Sequence, residues 1–320
     1  MNKKQPGSRG RWRKMKEHEI TQAEALLRSH ELFCVTACSR FLKPQSQDRV
    51  WTLQNRKGGI VALIVYSRRN LLPVFCGQRD IPPPAFCRQK DIFLPALYNQ
   101  RDILMSAFYN QRSISQSNLL YQLSRTLPVH SIQGLRDEVI ILERHLENFE
   151  RQPGEKIDYD LMSIDKCPDN SGFSAGPAGL VLRAPRYADM NTLAALQAGY
   201  EQEEVLPAGA VFNPAASRLT TKRIFSEEQV LTAELEGRLI GKINTSGVSF
   251  SRFQVGGVYV CPEFRGMGIA SRMTAEFVRS LIAQGKGVSL FVKKSNAAAL
   301  SIYRRLGFEY LADYRISYYL

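Results

Sequence analysis

The segment Gly256-Gly257-Val258-Tyr259-Val260-Cys261-Pro262-Glu263-Phe264-Arg265-Gly266-Met267-Gly268-Ile269-Ala270 carries the most legible chemistry in this chain. Its β-branched run reads as a strand stopped by Pro262. A tight loop then opens into a helix whose Ile269, Met273, Phe277 and Leu281 recur every four residues and so mark a buried face. The first turn of any helix exposes backbone N–H groups that lack acceptors and carry partial positive charge. Gly266 and Gly268 put no side chain between those amides and a pyrophosphate, and Arg265 adds charge at the rim, so the segment predicts an anion site. A strand, a glycine turn and a helix also form an ordinary packed connection, and that reading stays open here. Two other phosphate loops do not fit. A P-loop needs Gly-Lys-Ser/Thr where this chain has Gly268-Ile269-Ala270, and the dinucleotide fingerprint needs a glycine where Ser271 stands.

Further on, Ser295-Asn296-Ala297-Ala298-Ala299 opens another helix, and Tyr303 follows Asn296 by seven residues. At ~100° per residue, that spacing returns Tyr303 to within ~20° of Asn296 and ~10 Å along the axis, so both address one cleft. Taken singly, Asn296 is an N-cap and Tyr303 a core residue. Gly307 closes the helix at the position that favours a left-handed residue.

The elements that must position these groups follow from periodicity. A strand at 180–183, helices at 190–200 and 214–225, and a hairpin of 229–235 with 239–245 turning at Glu236-Gly237 precede the strand at 254–260. A helix at 268–284, a strand at 288–292, a helix at 296–306 and a last strand at 308–319 complete this half. Gly256-Gly257 suits a bulge that splays its strand from the next. The Gly-, Pro- and Ser-rich stretch 166–178 reads as a linker between domains at 17–165 and 179–320. The first half repeats a similar plan, with a helix at 17–30, a hairpin around Arg56-Lys57-Gly58-Gly59 and a strand at 71–75. A strand at 129–132, a helix at 136–149 and a strand at 157–164 follow. Inside it, residues 75–118 form a tandem repeat of eleven-residue units, each opening on a large apolar residue followed by Cys or Tyr. Pro82-Pro83-Pro84 and Pro95 forbid one continuous helix across them, so the insert reads as an expanded surface excursion.

Length and composition bound the class. With 320 residues, 44% apolar and 23% charged, the chain is globular and long enough for two cores. Its longest apolar run, 60–65, is far short of the ~18 residues of a membrane span. Residues 1–16 hold seven Lys/Arg and no acid, without the apolar stretch of a secretory signal, and read as a basic disordered tail on a cytoplasmic protein. The six cysteines form no CxxC pair and read as reduced thiols, with no metal site. The net charge of +13 is concentrated in residues 1–150, with 23 basic and 13 acidic side chains. Such a front end suits a solvated tail or, alternatively, nucleic-acid phosphates.

The segment Arg265-Gly266-Met267-Gly268-Ile269-Ala270 resembles the Gln/Arg-x-x-Gly-x-Gly/Ala signature of the GNAT N-acetyltransferase superfamily, and Asn296 with Tyr303 resembles its second landmark. The resemblance covers 179–320. It implies a mixed α/β fold with a central, mostly antiparallel, twisted sheet flanked by helices, and acetyl-CoA as cofactor. Direct acetyl transfer to the primary amine of a small molecule or protein is the implied activity. In this reading Val258, Tyr259 and Val260 supply backbone N–H groups to the acyl oxygen, residues 265–270 grip the pyrophosphate, Asn296 contacts the pantetheine arm and Tyr303 protonates the departing thiolate. The chain departs from family patterns at the general base. The positions where relatives place a glutamate hold Gln254 and Phe291, leaving Glu203 and Glu204, or a water, as candidates. By element order the first half resembles a degenerate GNAT-like module, as in tandem GNAT proteins. A non-catalytic module that senses acetyl-CoA or binds RNA or protein is the alternative.

Overall fold

The computed structural model describes residues 12–55, 57–75, 127–168 and 176–319. In chain order its elements are β1 (Trp12–Lys14), α1 (Ile20–His30), α2 (Val35–Leu42), β2 (Arg49–Gln54), β3 (Ile60–Ser67), β4 (Asn70–Phe75), β5 (Ser131–Leu135), α3 (Arg136–Glu147), β6 (Glu155–Ile164), β7 (Val181–Arg183), α4 (Met190–Tyr200), α5 (Pro214–Glu227), β8 (Val230–Leu235), β9 (Arg238–Val248), β10 (Arg252–Val260), α6 (Ile269–Ile282), β11 (Gly287–Lys293), α7 (Ala297–Arg305) and β12 (Glu309–Tyr318). They fall into two units. Unit 1 takes in the described residues of Met1–His30 and Lys43–Lys156 with Arg315–Tyr319, and unit 2 takes in Glu31–Leu42 and Ile157–Tyr314.

In unit 1, β1, β2, β3 and β4 pair antiparallel in sequence order. β4 and β5 then pair parallel at Asn70↔Ser131 and Leu71↔Ile132. The alternating apolar residues of β2 and β3 bury Trp51, Leu53, Ala62 and Ile64 with Val139, Leu142 and Leu146 of α3. One boundary differs from the sequence reading. The basic tail was expected to run to Lys16, yet Trp12–Lys14 form β1, because the indole of Trp12 is buried beside Phe75 and its apolar area outweighs the solvation of the flanking cations. The eleven-residue units beyond Phe75, the tail before Trp12 and the middle of the expected linker lie outside the described residues.

In unit 2 the strand order is β6-β11-β10-β9-β8-β7. All neighbours are antiparallel except β10 and β11. The core is built from Ile240, Ile243, Phe253 and Val255 of the sheet and from Ile269, Met273, Phe277 and Leu281, the stripe of α6 that recurs every four residues, with Val278 beside it. Two segments that the sequence reading placed in the first half belong here. From Ile157 on, β6 flanks β11 in the register Val288↔Ile164 to Lys293↔Tyr159. The segment Glu31–Leu42 also joins unit 2. Glu31 accepts from the Ser249 hydroxyl, from the Ser251 N–H at 2.6 Å and from the Ser251 hydroxyl at 2.7 Å, and Ser39 accepts from the Val248 N–H at 3.2 Å. Each pairing joins residues far apart in sequence, which periodicity does not encode. Among the described residues, no helix is long and apolar enough to cross a membrane.

Candidate active site

The parallel pair β10/β11 is short. Its register runs from Arg252↔Gly287 to Gln254↔Ser289, while both strands continue, to Val260 and Lys293, without pairing further. The opening faces a bulge. On the other flank of β10, Gly256 pairs with Asn244 and Tyr259 with Lys242, so two residues, Gly257 and Val258, stand opposite one. Gly257 has φ +63°, and a Cβ there would meet the Asn244 side chain and stand 2.6 Å from Lys242 Nζ. Only glycine meets both conditions.

Beyond β10 the chain enters α6 through Gly266 and Gly268, at φ +79° and +78°. Gly268 is the N-cap, and no side chain among the described residues caps the helix. The backbone N–H groups of Gly268, Ile269, Ala270 and Ser271 make no hydrogen bond among the described residues. Around Gly266 there is open space, with no atom of the described residues beyond its own chain neighbours within 4 Å of where a Cβ would stand. A concave run of unengaged amides at the positive end of a helix dipole fits a diphosphate. Arg265 takes another position. Its Nε donates to the Val260 carbonyl at 3.0 Å, its Nη2 donates to the Glu203 carboxylate at 3.0 and 2.8 Å, and its guanidinium lies 5.4 Å from the centre of the Tyr259 ring.

Glu203 and Glu204 sit in a π-helical turn, Glu201–Val205, that extends α4 and is closed by the Leu206 N–H donating to the Glu201 carbonyl at 2.8 Å. Adjacent helical residues point ~100° apart, so the two carboxylates diverge to different partners. Glu203 accepts from the Tyr259 hydroxyl at 3.2 Å as well as from Arg265. Glu204 accepts from Asn296 Nδ2 at 3.2 Å and lies 3.4 Å from Lys293 Nζ. Gly199 lets the Tyr259 ring abut α4, since a Cβ there would stand 2.6 Å from the ring.

Asn296 caps α7, its Oδ1 accepting from the Ala299 N–H at 3.0 Å, while its amide reaches Glu204. Tyr303, two turns on, is buried and packs edge-on against Phe308. Its hydroxyl makes no hydrogen bond among the described residues. Burial, with Tyr200 and Glu204 nearby, holds that phenol well above its ordinary value, so it stays protonated. At the positions where the family resemblance seeks a base, Gln254 accepts from Thr36 at 2.7 Å and Phe291 stacks on Tyr314 with centroids 4.9 Å apart.

One residue escaped the sequence reading. Lys242 on β9 is fully buried, its Nζ donating to the Gly257 carbonyl and to Asn244 Oδ1, both at 2.9 Å. A lone lysine in the apolar strand 239–243, opposite a Gly-Gly pair, was the available signal. Its meaning depends on cross-strand register.

Residues 198–308 match the model of the Acetyltransferase (GNAT) family and carry a domain of that family. An acetyltransferase of Pectobacterium atrosepticum is 33% identical over 82 residues, which cover 25% of this chain and 56% of that protein. The chain thus spans only about half the length of the curated relative it matches. A GCN5-related N-acetyltransferase from Sphaerobacter thermophilus has a similar fold, with TM-score 0.54 and 16% identity over 96% of this chain and 94% of that one. So has a tandem GNAT protein from the clavulanic acid biosynthesis pathway, with TM-score 0.51 and 12% identity over 97% of this chain and 98% of that one. At these identities the two structures speak for the fold.

Proposed function

We propose, taking the GNAT-family domain at 198–308 as premise, that unit 2 is an acetyl-CoA-dependent N-acetyltransferase acting on a primary amine. The observation that carries this reading is the run of unengaged N–H groups from Gly268 to Ser271 beside an open glycine turn. Those amides, at the positive end of α6, would hold the diphosphate of coenzyme A. Acetyl-CoA supplies an acetyl group activated as a thioester. The parting of β10 from β11 gives the pantetheine arm a route into the sheet, and Asn296 stands at its side.

Each remaining task falls to a named group. The Val258 N–H, at the bulge, would stabilise charge developing on the acyl oxygen. As the new N–C bond forms and the C–S bond breaks, the Tyr303 hydroxyl would pass its proton to the sulfur. Its hydroxyl is protonated and has no competing acceptor among the described residues, so the proton is available, while burial keeps the phenol a weak acid that yields it only to a strong base such as the departing thiolate. The amine must lose a proton. Glu203 and Glu204 stand at the cleft, but Arg265 and Lys293 hold them as ion-pair partners, which favours a bound water as the immediate acceptor with the carboxylates steering it.

Calorimetric titration with acetyl-CoA, followed by thiol release in the presence of a panel of amines, tests the reading. Binding with amine-dependent release of thiol is the expected result. No binding of acetyl-CoA would refute it, and binding without turnover on any amine would favour a sensing module.

A further inference from the structure

Lys242 touches none of the groups assigned to proton transfer or to the diphosphate. Its ammonium grips the Gly257 carbonyl and Asn244 and lies 5.0 Å from the centre of the Tyr200 ring. Asn244 is oriented for this, because its Nδ2 donates to the Thr245 carbonyl at 2.7 Å and leaves Oδ1 as acceptor.

The ladder shows what the grip acts on. The Cys261 N–H donates to the Ile240 carbonyl, and the Thr245 N–H donates to the Gln229 carbonyl on the opposite flank of β9. Backbone groups alternate along a strand, so Ile240, Lys242 and Asn244 address β10, whereas Ile243 and Thr245 address β8. Gly257 and Val258, opposite Ile243, therefore find no ladder partner on β9. The register with β11 has already ended at Ser289. In a trans peptide the C=O and the following N–H point in opposite directions. While the Gly257 carbonyl faces the ammonium, the Val258 N–H faces away from it, without a ladder acceptor.

We infer that Lys242 is a positioning residue for acyl transfer. By holding the Gly257 carbonyl it fixes the bulge and polarises the Gly257–Val258 peptide, making the Val258 N–H a stronger donor to the acyl oxygen. A charged donor on the carbonyl strengthens the hydrogen bond made by the N–H of the same peptide. This rests on the acetyl-CoA reading. The titratable groups facing the ammonium are Tyr200 of α4, Glu201 of the π-helical turn and Tyr259, its register partner on β10. Burial pulls the amine down to about 7 against the opposing pull of Glu201, so the charge is lost as pH rises through neutrality.

Infrared difference spectroscopy of acetyl-CoA labelled with carbon-13 at the acetyl carbonyl, bound to the full chain, reads donor strength without any acceptor amine. In the wild type the carbonyl stretch is expected below its free value, moving back toward it as Lys242 deprotonates. In Lys242→Met it is expected closer to the free value than in the charged wild type, and the same at every pH. A stretch that stays constant in the wild type as pH is carried past the ordinary lysine value of ~10.4, with acetyl-CoA still bound, overturns the inference, and that measurement decides even where Lys242→Met does not fold. A folded Lys242→Met with the wild-type stretch overturns it equally. Calorimetry on the same samples separates the two failures, because a wild type that does not bind acetyl-CoA refutes the transferase reading itself.

Discussion

Replacing Gly268 with glutamate sets a carboxylate at the cap of α6, within side-chain reach of the amides from Gly268 to Ser271. Two effects follow. The carboxylate competes for the amides that would hold the diphosphate, and it repels the phosphate charge. At ~5 Å and an effective dielectric of ~20, one pair of like charges costs ~3 kcal/mol. That corresponds to a loss of about 100-fold in affinity for coenzyme A. The backbone at φ +78° adds a separate cost of ~1–2 kcal/mol for any residue with a Cβ, felt in folding rather than in binding. Gly268→Ala carries the strain without the charge and is the control. Calorimetric titration of coenzyme A into the wild type and both variants, with thermal unfolding alongside, separates the terms. The reasoning is refuted if folded Gly268→Glu binds coenzyme A within about threefold of Gly268→Ala, a difference under ~1 kcal/mol.

Tyr303→Phe removes a hydroxyl with no hydrogen-bond partner among the described residues. It should lower kcat by ~100-fold or more while leaving acetyl-CoA affinity and Tm near wild type, checked by thiol release, calorimetry and thermal melts. A fragment of residues 179–320 lacks β6, the antiparallel neighbour of β11, and the Glu31–Leu42 segment that caps the β9–β10 turn. It should show no cooperative melt by circular dichroism, whereas the full chain should. In unit 1, burial pushes the Glu138 carboxyl up to about 8 against 4.5 when exposed, although it accepts from the Phe75 N–H at 3.0 Å. Between those values the folded state binds a proton that the unfolded state has released. Stability from this group is therefore present below about pH 4.5 and lost as pH rises through about 8. Glu138→Gln should flatten that fall, measured by urea unfolding at the two ends of the window.

How far the site could be read from residues alone depended on the range over which it is built. The turn at 265–270, the cap at Asn296 and the placing of Tyr303 on the same helix are local, since helical pitch and glycine's conformational freedom fix them within a few residues. The bulge at Gly256-Gly257 was legible for the same reason. Arg265 shows the limit. The sequence put its charge at the rim of an anion site, but Glu203 stands 62 positions away and takes it up.

By itself, then, the sequence determined where the helices other than α2 begin, which face of α6 is buried and which amides its first turn would leave unengaged. Only the tertiary structure decided that β6 and the Glu31–Leu42 segment belong with the candidate active site, that the carboxylates of the π-helical turn are held by Arg265, Asn296 and Lys293, and that Lys242 lies beneath the bulge. The physical reason is common to all three. Strand register and side-chain burial are settled between residues distant along the chain, and a periodicity of two or of 3.6 fixes which way a side chain points without naming what it meets.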